Sequence, residues 1–84
     1  MNKRKLLEKA LAGSRNIRFE DMVALVESFG FRLVRTSGSH HIFSHTAVPG
    51  LLNLQEVRGE AKPYQIRQFL RLVERYALTM EERR

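Results

Sequence analysis

Met22, Leu25, Val26 and Phe29 recur at i, i+3, i+4 and i+7, which predicts a helix with one apolar stripe beginning near Phe19. Gly30 follows as a residue free to take the left-handed conformation at a helix end. The period then changes. Phe31-Arg32-Leu33-Val34-Arg35-Thr36 is rich in strand formers, Ser37-Gly38-Ser39 reads as a turn, and His40-His41-Ile42-Phe43-Ser44-His45 reads as a second strand antiparallel to the first. Val48-Pro49-Gly50 is another turn signal, residues 51–57 supply a third strand, and Arg58-Gly59-Glu60-Ala61-Lys62 reads as a loop. Pro63 suits a first helical position, and Ile66, Phe69, Leu70, Val73 and Ala77 mark the stripe of a last helix running to about Ala77. Upstream, Leu6, Leu7, Ala10 and Leu11 predict a short helix within residues 3–12, broken at Gly13-Ser14.

The order helix, three antiparallel strands, helix predicts an α+β two-layer sandwich of the double-stranded-RNA-binding type, with the helices on one sheet face and the other face free. The chain divides into a basic, helical N-terminal extension (1–16), the domain proper (17–78) and a tail (79–84). At 84 residues there is room for one domain with a small core.

Charge narrows what such a domain could do. Lys and Arg number 15 against 9 Asp and Glu, a net +6, while 43% hydrophobic residues separate the chain from disordered polycations. Residues 31–50 carry Arg32, Arg35 and all three histidines without an acid, and Arg67, Arg71 and Arg75 follow one flank of the last helix. A positive field of this kind attracts phosphate backbones. The absence of cysteine excludes disulfides, thiolate zinc sites and cysteine nucleophiles. No apolar run approaches the roughly 20 residues of a membrane span, and no apolar stretch follows the basic N-terminus, so no membrane association and a cytoplasmic location are expected.

The period of a strand sorts the histidines. His41, Phe43 and His45 share one face; His40, Ile42 and Ser44 share the other. His41 and His45 are too far apart on one strand to chelate, and no carboxylate pair is close in sequence, so no metal and no cofactor are expected. His40 is different because it follows Gly38-Ser39 at a tight turn, where a backbone without Cβ lets a phosphate approach and a hydroxyl and N–H groups can donate to it. An imidazole exchanges protons near neutral pH, and RNA carries its own nucleophile in the 2′-OH, so cleavage needs little more than proton transfer and positive charge on the phosphate. Arg35, Lys62 and Arg67 are the candidates for phosphate contact.

Gly38-Ser39-His40-His41-Ile42-Phe43, behind Ser28-Phe29-Gly30-Phe31, resembles the HicA toxin family, as does the run from Gly59-Glu60-Ala61-Lys62-Pro63-Tyr64 to Phe69-Leu70. The similarity covers about residues 17–78. It implies a toxin of a type II toxin–antitoxin system, a metal-independent endoribonuclease acting on mRNA, and a HicB-type antitoxin that masks the active site, with operator DNA met only through that complex. The family's catalytic histidine falls on His40. Where many relatives carry Val-Pro-x-His in the third strand, this chain has Leu52-Asn53-Leu54-Gln55, so no role passes to a second histidine. The alternatives are a non-catalytic RNA-binding module on the same fold and a protein whose main role is assembly with its partner.

Overall fold

The computed structural model describes residues 2–13 and 17–81. In chain order the elements are α1 (Lys3–Leu11), α2 (Phe19–Ser28), β1 (Arg32–Ser37), β2 (His40–His45), β3 (Val48–Val57), β4 (Glu60–Ala61) and α3 (Pro63–Arg75). The break expected at Gly13-Ser14, the boundary after residue 16 and the end of the tail fall partly on residues 14–16 and 82–84, outside the described residues.

The sheet has four antiparallel strands in the order β1-β2-β3-β4, one more than the sequence pattern predicts. The segment expected to be a loop contains the extra strand. Arg58 and Gly59 both take positive φ (55° and 80°), as in the tightest hairpin turns, and return the chain so that Glu60 and Ala61 pair with Val57 and Glu56. The approach to α2 clamps this short strand from its other side: the Phe19 N–H donates to the Gly59 carbonyl at 2.8 Å and the Ala61 N–H to the Ile17 carbonyl at 3.1 Å. Val48-Pro49-Gly50 opens β3 instead of forming the turn, which falls on Thr46-Ala47. Pro49 and Gly50 (φ 96°) occupy a break in register between the Phe43–Leu52 and His45–Val48 pairs, where the missing proline N–H removes no ladder bond.

Met22, Leu25 and Val26 of α2, Phe43, Leu52 and Leu54 of the sheet, and Ile66 and Phe69 of α3 form one buried cluster. Each such side chain stabilises the fold by about 1.5–3 kcal/mol. The helices cover the β3–β4 side, with α3 on β3 and α2 on β4. α1 lies against α2 and α3 and adds Leu6 and Ala10 to the same cluster. β1 is left at the far edge, and all six of its residues are exposed.

α2 ends in a Schellman motif that places the start of β1. The Phe31 N–H donates to the Val26 carbonyl and the Gly30 N–H to the Glu27 carbonyl, with Gly30 at φ 94°. α3 ends the same way, with Ala77 (φ 52°) in the glycine position two residues beyond the last helical residue, Arg75.

Candidate functional site

The histidines divide between the faces as the period of two predicts, and the structure gives each a different surrounding. His41 turns to the helical side, its ring 4.6 Å from that of Phe19, and its Nδ1–H donates to the Ser39 carbonyl at 3.3 Å. His45 is fixed more tightly. Its Nε2–H donates to the Phe29 carbonyl at 2.9 Å, its Nδ1 accepts from the Ala47 N–H at 2.9 Å, and its ring meets the edge of Phe31 at 5.0 Å. These two histidines hold β2 to the helices.

His40 projects from the opposite face. It pairs across the sheet with Ser37 of β1 and Gln55 of β3. Its Nδ1 lies 3.0 Å from Nδ2 and 3.2 Å from Oδ1 of Asn53, one of the two amide atoms being its partner in either ring tautomer. Among the described residues nothing hydrogen-bonds its Nε2. The ring is thus oriented on one side and open to a substrate on the other.

The turn before His40 has Gly38 alone at positive φ (59°), the arrangement of a type II′ hairpin, with open space where a Cβ would stand. The Gln55 Nε2–H donates to Ser39 Oγ at 3.4 Å, and the Glu56 N–H donates to the Ser39 carbonyl at 3.0 Å. The buried Gln65 side chain accepts from the Gln55 N–H at 2.6 Å, so the first turn of α3 braces the strand directly opposite His40. The Asn53, Gln55 and Gln65 roles were not legible in residue types alone; they depend on the β2–β3 register and on helix docking.

Of the residues expected at a phosphate site, Gly38, Ser39 and His40 form the hairpin tip. Arg35 pairs with Ile42, on His40's face of the sheet. Lys62 caps the start of α3, the helix pinned to Gln55, with Nζ 5.7 Å from the Tyr64 ring centre. Arg67 is not brought to this face. It lines a groove of about 420 Å³ in the helical layer with Leu7, Leu11, Leu70 and Arg71. No group of three or more His, Asp or Glu side chains among the described residues is arranged to hold a metal ion.

A basic α+β sandwich with an outward-facing histidine at a hairpin tip is the class of domain that these features define. A family model described as the HicA toxin of bacterial toxin-antitoxin systems matches residues 19–74, from the first turn of α2 almost to the end of α3, and the chain belongs to that family. The comparisons give no match to a curated protein or to a solved structure. No helix among the described residues is long and apolar enough to cross a membrane.

Proposed function

We propose that the chain is the toxin of a type II toxin–antitoxin pair, an endoribonuclease that cleaves mRNA without a metal, on a fold of the double-stranded-RNA-binding type. The observation that carries this reading is the half-held ring of His40 beside the Gly38-Ser39 turn, with Nδ1 on Asn53 and Nε2 without a hydrogen-bond partner among the described residues. In the reaction the 2′-OH attacks the adjacent phosphorus, a 2′-O–P bond forms and the P–O5′ bond breaks, leaving a 2′,3′-cyclic phosphate and a 5′-OH. One proton leaves the 2′ oxygen and one arrives at the 5′ oxygen, and His40 Nε2 is the group that transfers a proton. The Asn53 Oδ1 suits both forms of the ring, accepting from Nδ1–H when Nε2 is a bare base and equally when the imidazolium carries a proton on each nitrogen. The Gly38-Ser39 turn takes the scissile phosphate, and Arg35 and Lys62 supply positive charge. Arg67, in the α1–α3 groove, is left out of this site. A HicB-type antitoxin covers the same face, and operator DNA is met only through that complex.

The test is cleavage of an mRNA by purified wild type and His40→Ala, with and without EDTA. His40→Ala is expected to be slower by about 10²–10⁴-fold with unchanged circular dichroism, and EDTA to have no effect. Equal rates for the two proteins would remove His40 from the reaction. Binding without turnover by wild type would leave an RNA-binding module.

A further inference from the structure

β1 carries an irregularity that bears on how RNA crosses the open face. Leu33 pairs with Phe43 and Arg35 with Ile42, so β1 advances two residues while β2 advances one, and Val34 is the extra residue of a bulge. In an unbroken strand, residues three apart point to opposite faces. Here they do not. Phe43 is fully buried on the helical side, so its neighbours Ser44 and Ile42 mark the open side. Arg32 pairs with Ser44 and Arg35 with Ile42. The bulge therefore puts both arginines on the face of His40, which pairs with Ser37 two residues beyond Arg35.

We infer that the bulged edge strand β1 is a phosphate track for single-stranded RNA, with Arg32 as a binding residue alongside Arg35. This rests on the RNA-cleaving reading of His40. Ser37, Arg35 and Arg32 step away from His40 along one strand, Ser37 and Arg35 about 6.8 Å apart, a spacing comparable to that of successive phosphates in an extended strand. All of β1 is exposed, so guanidinium groups can engage phosphate oxygens in pairs without displacing a protein partner. β1 has no acidic residue; the sheet's acids, Glu56 and Glu60, lie at the end of β3 and on β4, across the sheet. A single strand fits better than a duplex because in-line attack by a 2′-OH requires a backbone free to leave the A-form.

The experiment measures binding of a 2′-O-methyl single-stranded oligonucleotide, which has the phosphates but not the nucleophile, by fluorescence anisotropy across a salt series. Arg32→Gln is expected to weaken binding about three- to tenfold and to lower the slope of log K against log salt by about 0.7, one phosphate contact. Exchanging two neighbours, Arg32→Leu with Leu33→Arg, moves the guanidinium to the other face, so it should reproduce that loss with the net charge intact. Arg67→Gln, in the helical layer, should leave affinity and slope unchanged. If the exchange variant does not fold, Arg32→Gln against Arg67→Gln decides alone. Wild-type affinity for Arg32→Gln, or an equal loss for Arg67→Gln, overturns the track while leaving His40 untouched. Failure of folded wild type to bind the oligonucleotide overturns the RNA reading itself.

Discussion

The two ends of β2 carry the same residue type in opposite situations. At the C-terminal end His45 has both ring nitrogens committed to backbone groups, one donating to Phe29 and one accepting from Ala47, with Phe31 against its ring. At the N-terminal end His40 has one nitrogen held by a side-chain amide and the other open. A ring whose hydrogen-bonding capacity is spent inside the fold stabilises the fold; a ring with capacity left over and a fixed orientation is equipped for chemistry. The difference follows from the sheet period and from which side the helices cover, and nothing in the imidazole itself distinguishes the two.

The largest effect that could break this contrast is the expected loss from His40→Ala, worth about 3–5 kcal/mol in the barrier if the rate falls by 10²–10⁴. It should come without loss of thermal stability. His45→Ala should do the reverse. It leaves the Phe29 carbonyl and the Ala47 N–H without their partner and removes a ring packed on Phe31, so stability should fall by about 3 kcal/mol. Thermal unfolding should move down by more than 10 °C, roughly, for a domain of this size, while RNA cleavage by the folded fraction at low temperature stays near wild type. If His45→Ala slowed the folded protein as much as His40→Ala, the division of labour along β2 would be wrong.

Gly30→Ala attacks the seat of His45 without changing the histidine. Gly30 has φ 94°, and a Cβ there would stand 2.9 Å from His45 Nε2 and 3.3 Å from Glu81 Oε2. Backbone strain and the displaced ring together should cost about 2 kcal/mol, read as a lower denaturant midpoint with unchanged slope. An unchanged midpoint would mean that the ring gives way freely, and that His45 is less firmly held than its two hydrogen bonds indicate.

How far the sequence made this legible depended on the range of the interaction. The α2 stripe, the limits of β2 and the split of the histidines between faces rest on neighbours within a few residues, and they read correctly. β4 did not, because Glu60-Ala61 contains no strand former and becomes a strand only through Val57, Ile17 and Phe19. The Val34 bulge lies in a run of strand formers with no breaker to announce it. Arg67 follows the right spacing for a helix flank, but spacing does not tell that this flank borders α1. Asn53 stood out only as a departure from a family pattern; its contact with His40 needs the β2–β3 register, which places Asn53 opposite Ile42 and so diagonal to His40.

That diagonal contact yields the smallest and most diagnostic prediction. Asn53→Ala removes the only group among the described residues that fixes Nδ1, while the ring remains on its strand. The loss of one orienting hydrogen bond is worth about 1 kcal/mol, so kcat should fall roughly three- to tenfold with KM little changed. Asn53→Asp offers only acceptors to Nδ1 and therefore favours the Nδ1–H form, which bares Nε2 as a base. A rate kept near wild type by Asn53→Asp would show that the ring needs an acceptor at Nδ1, whereas a loss as deep as that of Asn53→Ala would show that the amide N–H is the group it uses. Nitrogen chemical shifts of the His40 ring, measured without substrate, should move in both variants because Asn53 acts on the ring before any RNA arrives. Unmoved shifts would separate Asn53 from His40 and leave the ring's orientation to the strand alone.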